Sequence, residues 1–417
     1  MKRILILLPL LVLALSCAQG GYDDLPDSID GNRYRFGVNT NPYEYFRTPE
    51  TPVPSGFKPF YISHYGRHGS RSDWGGDYPA VLEAFAKAEA AGVLTEQGLT
   101  AYRRAVVTDS LHNGMNGRLT ARGAREHRQI ARRMYNKYRR LFRGNSKVRA
   151  VSSISPRCIV SMGAFTGELL SLNPKLDMSW DTGSVFMAYC NSDDPRDVHK
   201  ESKVILQKYI DDQVLDTASF AERMFTDEAA ARECLGTSMK EFMGMLMEMA
   251  KVSGAFELDE TLLDLFSLED LKAYGRYISM NLYLRQCNSV EFGDRRMAAP
   301  GVEDLLRDLI TKADAVISDG GCAADLRFGH DYQLLAFCSR IGLKGIAERL
   351  DASQAPDWPG WLYSPFAGNF QMVFYRNRAG EVLVKCFINE REATLLGLED
   401  GPYYRWEDFK AAVSLKE

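Results

Sequence analysis

Residues 57–71 read Phe57-Lys58-Pro59-Phe60-Tyr61-Ile62-Ser63-His64-Tyr65-Gly66-Arg67-His68-Gly69-Ser70-Arg71. The segment from Phe57 to His64 is short, aromatic and β-compatible, and Gly66 and Gly69 follow it, so the pattern predicts a strand running into a glycine-containing loop. Loops at the carboxyl ends of strands are where α/β sheets place ligands. Two guanidiniums, Arg67 and Arg71, flank the His68 imidazole. Arginine suits a phosphate because its planar fork donates paired hydrogen bonds and stays charged. Histidine is a nucleophile when neutral, and positive neighbours favour that form. Gly69 lets the backbone approach a ligand closely. The loop therefore reads as a phosphoryl-accepting histidine inside an arginine clamp; the competing reading is a solvated basic loop.

Two distant stretches bear on that choice. Ser155-Pro156-Arg157 follows a β-like run, Val148 to Ser153, and precedes an apolar helix around Ile159–Leu170. Arg157 could complete the clamp, or be an ordinary surface arginine. Phe328-Gly329-His330-Asp331 follows a short apolar run, Ala315 to Ser318, read as another strand. His330 could donate to a phosphate, and Asp331 could protonate a leaving alkoxide. Asp331 could equally cap the helix expected over Tyr332–Ile341.

Ala80–Ala91 and Ala121–Phe142 have helical spacing, and Val198 to Asn288 reads as helical throughout. Phe370–Tyr375 and Val382–Ile388 alternate around Arg376-Asn377-Arg378-Ala379-Gly380 and predict a β-hairpin. The expected architecture is α/β: a central, mostly parallel sheet flanked by helices, with an inserted α-helical cap and a C-terminal β-hairpin. Residues 56–175 and 300–417 would form the core, 176–299 the cap, and 18–55 a tether and loops.

The chain has 417 residues, 45% hydrophobic and 25% charged, which is globular composition. A formal charge of −4 gives no sign of a nucleic-acid binder. Lys2 and Arg3 precede an apolar run, Ile4 to Leu15, too short for the ~20 residues a membrane span needs. This is the layout of a secretory signal. Ala14-Leu15-Ser16-Cys17 resembles a bacterial lipobox, which implies cleavage before Cys17 and lipid on its sulfur; ordinary cleavage nearby and a free secreted chain is the alternative. An exported, periplasmic or cell-surface location follows, with membrane contact only through that anchor. Beyond Cys17 the chain has seven cysteines, an odd number, and no C-x-x-C pair.

Other features support plain readings. His64 and His68 lie four apart, but no glutamate follows His64 as H-E-x-x-H requires, so no metal site is expected. The methionines between Met239 and Met249 read as core filler. His112, His127 and His199 read as structural or exposed. Arg122 to Arg149 holds eleven Lys and Arg with Glu126 as its one acid; it could steer polyanions, or be a solvated helix face.

Taken together, the motifs resemble the histidine phosphatase superfamily in its acid phosphatase and phytase branch. Arg67-His68-Gly69-Ser70-Arg71 is similar to that branch's R-H-G-x-R-x-P core, and His330-Asp331 to its H-D motif. Weaker matches lie at Leu119-Thr120-Ala121-Arg122-Gly123, around Arg157, at Pro365-Phe366-Ala367-Gly368-Asn369 and at Asn389-Glu390. Asp73 stands where the family has proline, His64-Tyr65-Gly66 before the core is unusual, and His330-Asp331-Tyr332 stands where the multiple inositol polyphosphate type carries H-A-E. The resemblance implies a phosphohistidine on His68, phosphate binding by Arg67, Arg71, Arg157 and His330, proton transfer by Asp331, and no cofactor or metal. It implies a small phosphomonoester as partner: phytate or another inositol polyphosphate, or else a sugar phosphate. A lipid-anchored protein that binds phosphorylated ligands without turnover, or a phosphomutase, would use the same arginines.

Overall fold

A single mixed sheet organises the chain, its strands in the spatial order Asp177–Thr182, Lys147–Ser152, Ala324–Gly329, Lys58–Arg67, Asn369–Arg376, Val382–Ile388 and Arg391–Ala393, with Tyr404–Arg405 also beside Val382–Ile388. The computed structural model describes residues 31–414 except 74–77, 192–195, 294–299 and 400. The signal-like segment, Cys17 and the first part of the expected tether lie outside the described residues.

In chain order the elements begin with β1 (Lys58–Arg67), α1 (Tyr78–Ala90), α2 (Glu96–His112) and α3 (Ala121–Lys137). Then come β2 (Lys147–Ser152), α4 (Pro156–Leu172) and β3 (Asp177–Thr182). A run of helices follows: α5 (Arg196–Asp212), α6 (Thr217–Met224), α7 (Glu228–Leu235), α8 (Met239–Ala250), α9 (Leu268–Gln286) and α10 (Pro300–Asp319). The last part holds β4 (Ala324–Gly329), α11 (Asp331–Arg340), β5 (Asn369–Arg376), β6 (Val382–Ile388), β7 (Arg391–Ala393), β8 (Tyr404–Arg405) and α12 (Trp406–Ala412).

Strands β3, β2, β4 and β1 are mutually parallel, and β5, β6, β7 and β8 extend the sheet antiparallel. The parallel part is covered on both faces, as crossover helices require. Every residue of β4 is buried, and so are the last seven of β1. Side chains alternate across β1: Tyr61 and Tyr65 join one core with α10 and α11, and Ile62 joins the other with α3 and α4.

Three differences from the sequence reading have physical causes. Ala315–Ser318 is not a strand but the end of α10, because Val302, Leu305, Leu306, Leu309, Ala313 and Val316 form one buried helical stripe. The strand begins later, after Gly320 and Gly321 turn the chain at positive φ. The expected cap range 176–299 includes β3, a polar edge strand paired with β2. Helices α1 and α2, expected in the α/β core, bury Val81, Phe85 and Ala101 in a separate core with Phe220, Phe242 and Leu246 of the helical region. The methionines of α8 fill that core: Met239, Met243, Met247 and Met249 are buried. The seven described cysteines are all free thiols.

Candidate active site

The carboxyl ends of β1, β2 and β4 meet at one place. Arg67 closes β1, with its amide donating to Gly368 O (2.8 Å), and the His68 amide donates to Gly329 O (3.0 Å) at the end of β4. Gly69 packs directly on the Gly123 backbone, where a Cβ would collide. This contact explains the glycines at both positions and brings the 119–123 stretch beneath the loop. Glu126 of α3 holds the loop: its side-chain oxygens accept from Ser70 N (2.8 Å) and Ser70 Oγ (2.6 Å). A second gap is filled at Gly329, where a Cβ would meet the Tyr65 hydroxyl and the Cys190 carbonyl.

The six residues read from the motifs converge here. The His68 and His330 rings lie 5.6 Å apart, edge to face. Arg67 Nη2 pairs with Asp331 Oδ2 at 3.1 Å. Arg157 Nη2 donates to His330 Nδ1 at 3.4 Å. Arg67 and Arg71 place their Cζ atoms 4.8 and 5.8 Å from the Phe366 ring centroid. The N-termini of α4 and α11 therefore meet at the clamp, and a helix N-terminus favours an anion. Asp331 occupies the first helical position behind His330, the N-cap residue, and its side chain turns to Arg67 rather than capping α11.

Charge and burial set the protonation of each group. Burial, then Arg67, Arg71, His330 and Arg157, hold His68 well below its ordinary pKa, so its imidazole is neutral. Its Nδ1 lies 3.0 Å from Gly69 O. A carbonyl only accepts, so Nδ1 carries the proton and the lone pair is on Nε2. Burial, then Arg157, pushes His330 down to about 3. Because Arg157 can only donate, His330 carries its proton on Nε2, 3.3 Å from Ser153 Oγ. Burial raises Asp331, but Arg67, the Asn39 hydrogen bond, His330 and Arg71 outweigh it and hold the carboxyl below its usual range. Burial lowers Arg67 to about 10, which leaves it cationic at neutral pH.

Several contributors lie outside the Arg67–Arg71 and His330–Asp331 stretches. Asn39 Nδ2 donates to Asp331 Oδ2 (2.9 Å) from 292 positions away. The Asn39 and Ser364 carbonyls accept from Arg67 Nη1 at 2.6 and 2.9 Å. Asn389 accepts from Asn369 N (2.8 Å) and donates to Leu362 O (2.9 Å), which fixes the loop carrying Phe366. Asp73 lies 3.7 Å from Arg71 and receives the Tyr78 hydroxyl, while its amide donates to His112 Nδ1 (2.8 Å). His112 thus shapes the loop, and His64 and His127 are buried against Phe165 and Phe328. Six of the eleven basic residues of the 122–149 stretch pair with acids: Arg122, Arg125, Arg132, Arg133, Lys137 and Arg149.

No family model and no curated protein sequence matches the chain. Solved structures do match its fold. The Bifidobacterium longum multiple inositol polyphosphate phosphatase in complex with phosphate aligns at TM-score 0.73 and 17% identity, over 91% of this chain and 97% of that one. The fold is that of the histidine acid phosphatases. The phytase from D. castellii shares this histidine acid phosphatase fold at TM-score 0.69 and 16% identity, over 95% of this chain and 89% of its own. A Hafnia alvei phytase in complex with tartrate aligns at TM-score 0.52 and 13% identity, over 87% and 98%. In this histidine acid phosphatase fold, the mixed sheet places the clamp at the carboxyl ends of its parallel strands.

Proposed function

We propose that the chain is a metal-independent phosphomonoester hydrolase that works through a phosphohistidine on His68, with phytate and related inositol polyphosphates as substrates. One observation carries the reading: a neutral histidine with its Nε2 lone pair available stands among Arg67, Arg71 and Arg157, with a carboxyl group tied to the same clamp. The guanidiniums and the two helix ends supply the positive charge that a transferring phosphoryl group needs. His68 Nε2 forms a bond to phosphorus as the ester P–O bond breaks, and the leaving oxygen takes a proton from Asp331. Water then attacks the phosphohistidine, the N–P bond breaks, and the Asp331 carboxylate takes a proton from the water.

Asp331 is held ionised in the free site, whereas the first step needs it protonated. A phosphate dianion supplies the missing influence: it draws on Arg67 and sets like charge beside the carboxyl, and both effects raise the carboxyl pKa. The inositol polyphosphate reading is supported by the solved proteins of this fold, one of them in complex with inositol hexasulfate. Phosphate release from phytate, glucose 1-phosphate and bisphosphoglycerate tests it. Phytate should be hydrolysed fastest, and release from none of the three would overturn the reading.

The same proposal includes export through residues 1–17, with Cys17 as a lipid attachment site. Among the described residues, no helix is long and apolar enough to cross a membrane. Mass spectrometry of the mature N-terminus tests the export reading: an unprocessed Met1 would overturn it.

A further inference from the structure

Asn39 lies outside every motif, in a 3-10 stretch, Arg33–Thr40, within the segment expected to be loop. It nevertheless makes two contacts with the catalytic groups: its carbonyl accepts from Arg67 Nη1 at 2.6 Å, and its side-chain amide donates to Asp331 Oδ2 at 2.9 Å. Arg67 Nη2 reaches that same Oδ2 at 3.1 Å. Two donors thus converge on one carboxylate oxygen. A proton placed on Oδ2 would meet both, so the acidic proton belongs on Oδ1.

The backbone is built to present Asn39 this way. Val38, the residue before it, has φ 48° and ψ −93°, a conformation that a β-branched residue keeps only when its surroundings hold it. Those surroundings are on both sides. Val38 is 1% exposed and packs on Gly360. Thr40 Oγ1 donates to Gly37 O (2.9 Å) and to Lys251 O (3.0 Å) at the end of α8. The Asn41 amide donates to Val38 O (3.2 Å), and its carbonyl accepts from Phe366 N (2.8 Å). With its neighbours pinned to the helical region and to the Phe366 loop, Asn39 has its carbonyl and its amide aimed at Arg67 and Asp331 together.

We infer that Asn39 is a positioning residue for the general acid: with Arg67 it holds Asp331 Oδ2, fixes the proton on Oδ1, and keeps the carboxyl ionised until a phosphate ester arrives. This rests on the phosphatase reading above. The groups that face Asp331 are Arg67, Arg71, His330 and Asn39; of the two that donate to its carboxylate, Arg67 and Asn39, only the Asn39 amide can be removed without removing a charge. A hydrogen bond donated to a carboxylate favours its ionised form, so losing it raises the pKa at which Asp331 gives up its proton. The protonated acid then persists to higher pH.

The experiment compares the full-length wild type with Asn39→Leu and Asn39→Asp, scoring kcat/KM against pH on an alkyl phosphate, 2-glycerophosphate, and on 4-nitrophenyl phosphate. On the alkyl ester, the basic limb should move up by about one pH unit in Asn39→Leu, and further in Asn39→Asp, where a second carboxylate faces the first. The nitrophenyl ester has a leaving group that needs no proton, so its profile should keep its position. An equal fall at every pH on both esters would mean a merely structural tie, and a limb that stays in place would mean no hold on the proton; either result overturns the inference. Failure of the wild type to release phosphate from either ester would instead overturn the phosphatase reading itself.

Discussion

The Nδ1 atom of His68 sits 3.0 Å from the carbonyl oxygen of its own neighbour, Gly69. A one-residue contact of this kind settles the tautomer without any distant partner, and it leaves the lone pair on Nε2. On the proposed mechanism the nucleophile is therefore prepared by the loop itself. His68→Ala should reduce phosphate release on the order of 10³-fold or more, while circular dichroism and the melting curve stay close to wild type. Retained turnover would remove His68 as the nucleophile.

Asp331 shares one oxygen between Arg67 and Asn39, which suits an acid acting on poor leaving groups. Asp331→Asn keeps the shape and loses the proton. Hydrolysis of alkyl phosphates should fall by about 10²–10⁴, and that of 4-nitrophenyl phosphate by far less. Equal losses on the two esters would argue against proton transfer.

The part of the site legible in the sequence is the part made by neighbours in the chain. Arg67, His68 and Arg71 lie on one loop at the end of β1, where strand patterning and residue chemistry locate them together. His330 and Asp331 lie at a strand–helix junction and are located by residue chemistry alone, since the sequence pattern puts the strand before them at 315–318 instead of Ala324–Gly329. Asn39 and Glu126 could not be found that way. Their roles come from contacts 292 and 56 positions away; Glu126 stands out in the sequence as the one acid of a basic stretch, but nothing near it in the chain points to Ser70. The fold divides similarly. Buried β1 announces itself by a short aromatic run ending at glycines, and the β5–β6 hairpin by alternation. By contrast, β3 is a mostly exposed edge strand with polar composition, and the β-branched pair at 316 and 317 imitated a strand at the end of a helix.

Glu126 supports the 67–71 loop from beneath. It is 5% exposed, accepts from the Ser70 amide and hydroxyl, and also from Tyr43 N at 3.1 Å. Glu126→Ala leaves these donors buried without an acceptor. The expected loss is about 3 kcal/mol of stability, seen as a lower denaturant midpoint with unchanged slope. KM should rise as the loop loosens. A variant as stable as the wild type would show that the loop does not depend on this contact.

On the proposed mechanism three guanidiniums supply the charge at the clamp, and no step calls for a metal ion. Incubation with a chelator followed by desalting should leave the rate unchanged, and vanadate should inhibit in competition with substrate. Loss of activity on chelation, restored by a divalent cation, would overturn this account.

The buried histidines give the protein a pH dependence of stability with a definite sign. Burial, then His127 and Arg327, lowers His64 to about 3, and burial lowers His127 to about 3. In the unfolded chain these groups titrate near 6.5. Below that pH the unfolded state binds protons that the folded state refuses, so stability falls as pH falls from about 6.5 toward 3 and is fully present above 6.5. His68 and His330 are lowered too, and Asp331, also lowered, adds a loss of the same sign at the acid end. Between pH 6.5 and 5, His64 and His127 should each contribute about 2 kcal/mol to the loss. Denaturant unfolding at pH 7 and pH 5 measures it, and His127→Gln should flatten the dependence by one proton. Equal stability at the two pH values would mean that these rings take up protons in the folded state, and the neutral packing of His64 and His127 against Phe165 and Phe328 would then be wrong.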